Sequence, residues 1–265
     1  MAKITLDILD TLTLEHHSIY KMQGCKHLVI RRKAGPTKSM IMEGPKFKRV
    51  RSNNQEFSGA AKAANKIKEA LTGVKHLSNF MLSGRFTAMS LKILKMDKIH
   101  VHGNRSILFT KKPNMFKGFN LNATVAFDSV FNNQVTCTLD REQGAAKIFI
   151  PELLPSINFF IPWEYPHYRL IMVIGVVPNM VRKNKIYDSV VPGRIYKPGI
   201  ITTAWENSKD IRAEQSYDLV LPEGTILDAS CTVLISIGIE MGEYESGNNI
   251  EALKKVGCAK ILLQG

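Results

Sequence analysis

His100 and His102 stand two residues apart, a spacing that on a strand sets both imidazoles on one face, as a metal site requires. Asp97 is the one acidic or thiol side chain close by, so the local sequence offers no full ligand set, and no metal is expected. His16 and His17 are adjacent and would point to opposite faces of a strand. Glu240, Glu243 and Glu245 form a small acidic cluster able to attract a cation or a basic surface, although a solvated loop accounts for it as well. Cys25, Cys137, Cys231 and Cys258 lie far apart without a C-x-x-C pair, which spells neither a zinc ribbon nor a redox motif and reads as reduced, mostly buried thiols. The glycine-rich phosphate loops, the G-x-S-x-G elbow, H-E-x-x-H and the calcium-binding loop are all missing. The chain is therefore expected to be no enzyme and to need no cofactor. A triad assembled only in space leaves no local signature to argue from.

A basic run is the strongest feature. Arg31, Arg32, Lys33, Lys38, Lys46, Lys48, Arg49 and Arg51 fall close together, with Phe47 among them. The formal net charge is +13, and it is uneven: residues 1–120 hold 23 Lys or Arg against 7 Asp or Glu, whereas residues 121–265 hold 13 against 16. A field of that sign draws polyanions or an acidic protein surface and raises encounter rates, without conferring sequence specificity. Two functional classes use it. In the first, a structural or assembly protein docks a basic N-terminal face, made by Arg31, Arg32, Lys33, Lys46, Lys48, Arg49 and Arg51, onto copies of itself or onto an acidic partner. In the second, the same side chains contact nucleic-acid phosphates with salt-sensitive, sequence-neutral affinity. No motif that reads DNA or RNA bases is visible, and a charge run is commonly just a solvated face.

The elements that must carry these cations can be read from periodicity. Ile19, Tyr20 and Met22 precede Gln23-Gly24, and Leu28, Val29 and Ile30 follow, which predicts a β-hairpin over Ser18 to Lys33. Ala34-Gly35-Pro36 and Glu43-Gly44-Pro45 break the chain, and Pro45 suits the first position of a helix. Phe47, Val50, Asn54, Phe57, Ala61, Ala64, Ile67 and Leu71 recur every three or four residues and predict its buried stripe, leaving most of the lysines and arginines in solvent. Ser58-Gly59 is a candidate break, with Ser58 capping an alanine-rich second helix. A further helix is predicted over Leu77 to Lys98, largely buried because its apolar residues surround much of the circumference.

After Asp97 short β-branched and aromatic runs take over. Val135, Cys137 and Leu139 and then Ala146, Ile148 and Ile150 alternate about Arg141-Glu142-Gln143-Gly144, predicting a hairpin. Tyr168 to Val177, Gly199 to Trp205, Tyr217 to Leu221, Thr232 to Met241 and Ala259 to Leu263 are further strand candidates. With few helical crossovers between them, the expected fold class is α+β: a basic hairpin-plus-helices region over residues 1–98, followed by an antiparallel β-sandwich over residues 99–265. The apolar fraction of 45% is ordinary for a chain that buries a core. Asp7 and Asp10 interrupt what a secretory signal would keep apolar, and the most apolar segment, Leu170 to Val181, is too short to span a bilayer, so a cytoplasmic location without a membrane partner is expected.

The stretch Tyr20-Lys21-Met22-Gln23-Gly24, Val29 to Lys33, Gly35-Pro36-Thr37 and Gly44-Pro45-Lys46-Phe47-Lys48-Arg49-Val50-Arg51-Ser52-Asn53-Asn54-Gln55-Glu56-Phe57 resembles a family of uncharacterised bacterial proteins. In that family a short hairpin ending in basic residues precedes an Arg-x-Arg-x-Asn…Glu-Phe-Gly helix. Here Ser58 intervenes before Gly59. The resemblance implies organisation only: bacterial, intracellular, a small basic front end and a β-rich back end, with no activity attached.

Overall fold

The computed structural model describes residues 2–4, 17–22, 27–33, 35–246 and 249–265. The chain divides into two units, Met1–Arg51 and Ser52–Gly265.

In the first unit, β1 (Ala2–Ile4), β2 (His17–Lys21) and β3 (Leu28–Arg32) form an antiparallel sheet in the order β1-β3-β2. Ile19 lies opposite Ile30 and Ser18 opposite Arg31, the pairing expected of the predicted hairpin, whose Gln23-Gly24 turn falls outside the described residues. Val29 and Ile30 are buried. The Gly35-Pro36 break is followed by a helix that periodicity missed, α1 (Lys38–Glu43). Thr37 caps it by accepting the Met40 N–H at 3.3 Å, and it stops at Gly44. A 3-10 turn, Pro45–Phe47, leads into α2 (Lys48–Ala70).

Helix α2 runs through Ser58-Gly59 without a break. Its buried positions are Glu56, Gly59, Ala60, Ala63, Ala64, Ile67 and Ala70, so the stripe anticipated through Val50, Asn54 and Phe57 is displaced, and Phe57 is 59% exposed. Bulk misled the pattern: small residues make the packed face because the neighbouring backbone and the Tyr187 ring come very close. A Cβ at Gly59 would stand 2.6 Å from that ring. Helix α3 (Leu82–Lys95) is shorter than anticipated and one-sided. It buries Leu82, Phe86, Thr87, Ser90, Ile93 and Leu94, while Phe80 and Met81 precede it in solvent.

After the one-turn α4 (Phe127–Val130), the strands are β4 (Thr136–Asp140), β5 (Ala145–Ile150), β6 (His167–Pro178), β7 (Met180–Lys183), β8 (Ile186–Ser189), β9 (Gly199–Thr202), β10 (Glu206–Asn207), β11 (Gln215–Val220), β12 (Cys231–Ser246) and β13 (Asn249–Gln264). All pairings are antiparallel: β10-β6-β12-β13 with β9 also on β6, β11-β5-β4, and the β7-β8 hairpin. Alternate residues of β6 serve two cores. Leu170, Met172 and Ile174 join Ile235 and Ile237 of β12 and Ile148 and Ile150 of β5 in one buried cluster. Ile171, Val173 and Val177 join Leu234, Ile261 and the helical Ala63, Ile67, Phe86 and Leu94 in the other. The larger sheet is thus covered on both faces, by helices on one and by strands of the smaller sheet on the other. This explains why Leu170 to Val177 lacks polar alternation. Gly175 lets the helix approach, since a Cβ there would collide with the Ala70 carbonyl. Among the described residues no helix is long and apolar enough to cross a membrane.

Candidate functional site

Arg31 and Arg32 end β3 and Lys33 follows it; all three are exposed. Neighbouring residues on a strand project to opposite sides, so Arg31 and Arg32 do not share one sheet face. Lys46 sits in the 3-10 turn and Lys48 and Arg49 open α2, again exposed, with the Lys46 ammonium 5.4 Å from the centre of the half-buried Phe47 ring. Among the described residues, none of these six cations takes part in an ion pair. Arg51 differs. Its Nη1 donates to the carbonyl oxygens of Ile41 at 2.8 Å and Gly44 at 2.7 Å, satisfying acceptors at the C-terminal end of α1, where a cation is also favoured by the helix dipole. Arg51 is structural first, a role without a sequence signature because its partners are backbone atoms.

The two histidines singled out by spacing lie on a loop, not a strand, and belong to separate carboxylates. Asp97 Oδ1 accepts the N–H groups of Ile99 (2.9 Å) and His100 (3.2 Å), while Oδ2 accepts the Ser106 N–H and the His100 ring Nδ1, both at 2.7 Å. Burial works to raise the carboxyl, but these four donors prevail and hold it at about 2. An ionised carboxylate only accepts, so Nδ1 of His100 carries the proton and Nε2 is the nitrogen left for another partner. His102 instead places Nε2 2.9 Å from Asn53 Oδ1 and 3.6 Å from Glu56 Oε2.

Glu56, buried on α2, is the centre of the second network. Its Oε1 accepts from Gly103 N–H at 2.8 Å and Arg105 Nε at 2.7 Å, and its Oε2 from Arg105 Nη2 at 2.5 Å. Desolvation raises its pKa, yet the Arg105 fork and the Gly103 N–H together hold it below the ordinary carboxylate value. The Glu56 network fastens the loop to helix α2, the Asp97 network closes the loop on itself, and both acids are used up. Glu240 is likewise consumed, between His76 Nε2 (2.6 Å) and Arg169 Nε (2.7 Å), so it separates from the exposed Glu243 and Glu245 instead of joining them in a cluster. Among the described residues no group of three or more His, Cys, Asp or Glu side chains is placed to hold a metal ion. Cys137, Cys231 and Cys258 are free thiols, and burial pushes Cys137 to about 11 and Cys258 to about 12; Cys25 falls outside the described residues.

Compared with family models, curated proteins and solved structures, the chain returns no match.

Proposed function

We propose that this chain is a non-enzymatic structural or assembly protein of bacterial, cytoplasmic type, belonging with the uncharacterised proteins its N-terminal stretch resembles. Its Met1–Arg51 unit docks onto an acidic surface of another copy or of a partner, and the two stacked sheets of the second unit act as a sandwich-like scaffold. The observation that carries this reading is the set of exposed cations Arg31, Arg32, Lys33, Lys46, Lys48 and Arg49, none of which forms an ion pair among the described residues. Unpaired surface cations keep their Coulombic reach for a partner, and a partner of opposite sign is steered to them. Arg51 supports the same surface indirectly, by holding the end of α1 against the start of α2.

A nucleic-acid partner is the second reading, and the exposure of Arg31, Arg32, Lys33, Lys46, Lys48 and Arg49 is the observation that favours it, since exposed cations can contact phosphates without reading sequence. Sedimentation or light scattering at low and high salt, with and without an oligonucleotide, separates the two. Self-association or partner capture that weakens with salt and is lost when Arg31, Arg32, Lys48 and Arg49 become Ala is the expected result. A monomer at every salt concentration that shifts only on adding the oligonucleotide establishes the second reading and overturns the first.

A further inference from the structure

The second unit holds an open cavity of about 740 Å³ lined by His100, Asn104, Ser106, Val181, Arg182, Lys183 and Lys185. Its charged lining groups are one guanidinium and two ammonium groups, with an imidazole beside them and no carboxylate among the lining residues. Asp97, three residues before His100, is spent on four donors, one of them His100 Nδ1, while Asp188, opposite Val181 in the β7-β8 ladder, accepts the Ser189 N–H at 2.7 Å.

Two details mark this cavity as built. Arg182 is held by donating Nη1 to the Gly103 carbonyl at 2.6 Å and to Asn104 Oδ1, while its Nε–H is buried with no hydrogen-bond partner. A buried, charged donor left without an acceptor is unfavourable and calls for an explanation. The β7-β8 hairpin turns through Asn184 and Lys185 with φ of 49° and 68°. A two-residue turn of this hand favours Asn and then Gly, so Lys at the second position is strained by its own Cβ, yet its side chain lines the cavity. Strain kept at a cavity wall argues that the side chain serves something there.

We infer that this cavity is a binding site for the phosphate group of a small phosphorylated ligand. Arg182 offers a guanidinium charge fixed by Gly103 and Asn104, and Lys183 and Lys185 offer point charges that anionic phosphate oxygens can accept from. The volume suits a ligand of nucleotide size. The site lies wholly within residues 52–265, so it neither needs nor uses Arg31, Arg32 or Arg49.

Isothermal titration of the full chain at low salt with pyrophosphate tests it, alongside Lys185→Gly and Lys183→Ala. Pyrophosphate should bind saturably at one site. Lys185→Gly should weaken it about tenfold while the melting temperature stays level or rises, because glycine relieves the left-handed turn. Lys183→Ala, on a strand residue that is exposed, guards against a misfolded variant and should weaken binding severalfold. Unchanged affinity in both variants, or binding shown only by a single-stranded oligonucleotide and not by pyrophosphate, overturns the inference. Loss of pyrophosphate binding on replacing Arg31, Arg32, Lys48 and Arg49 overturns it too, and points to the N-terminal cations instead.

Discussion

Arg105 grips both oxygens of Glu56, with Nε 2.7 Å from Oε1 and Nη2 2.5 Å from Oε2, and the carboxylate is almost completely buried. A buried pair adds little when compared with an apolar replacement, but breaking one by removing a single partner leaves an uncompensated charge. Glu56→Gln keeps the shape and withdraws the charge from the Arg105 fork. Chemical denaturation should register a loss of about 3 kcal/mol. Glu69→Gln, which disrupts the exposed Lys66–Glu69 pair, should cost less than about 0.5 kcal/mol. Equal effects from the two substitutions would show that burial does not set the value of the Glu56 pair.

Gly59 and Tyr187 test how much close packing outweighs helix propensity. Alanine is favoured over glycine inside a helix by about 1 kcal/mol. Here the added methyl would stand 2.6 Å from Cγ of Tyr187, and the ring cannot swing away freely because its hydroxyl donates to the Arg105 carbonyl at 2.7 Å. Overpacking costs about 1–3 kcal/mol, so Gly59→Ala should destabilise on balance. A raised melting temperature would mean the ring yields, and the displaced stripe of α2 would need another cause.

These two positions also show where the sequence was readable. Alternation located Thr136–Asp140 and Ala145–Ile150, which flank a polar turn, because there each side chain's environment follows from its own type. It failed at Phe57 and Gly59. There burial is decided by a ring 128 positions further along the chain, and nothing local distinguishes a glycine that breaks a helix from one that admits a neighbour. The β7-β8 hairpin escaped notice for a similar reason: its turn is Asn184-Lys185, where the familiar signal would be Asn-Gly. The cations of the first unit were legible as a run, but Arg51's commitment to the Ile41 and Gly44 carbonyls was not, since backbone acceptors carry no residue identity.

Acid should loosen the loop that follows α3. The Asp97 carboxyl is depressed from an ordinary 3.8 to about 2 by donors that exist only in the folded chain. A depressed carboxylate contributes stability that is fully present above its unfolded pKa and is lost as pH falls through the folded one. The contribution is about 2 kcal/mol, present above pH 4 and fading towards pH 2. Asp97→Asn should remove it at neutral pH and flatten the stability profile between pH 4 and pH 2. An unchanged slope in that window would mean the Ser106, Ile99 and His100 donors do not persist in solution.

Arg49 and Arg51 sit two residues apart on α2 and should separate structure from docking. Arg51→Ala withdraws a charged donor from two carbonyls at 2.8 and 2.7 Å, and hydrogen bonds to charged groups contribute about 1.5–3 kcal/mol each net of exchange with water. Amide exchange in Met40 to Gly44 should speed up by roughly tenfold or more, since 1.4 kcal/mol is a factor of ten in an opening equilibrium. Arg49 is exposed and forms no ion pair among the described residues, so Arg49→Ala should leave those amides unchanged while weakening any salt-sensitive association of the full chain. If Arg49→Ala alters neither property, its charge is a solvated one and the docking surface must be drawn without it. If Arg51→Ala leaves exchange untouched but abolishes association, Arg51 belongs to the docking surface, because its carbonyl partners do not hold it in solution.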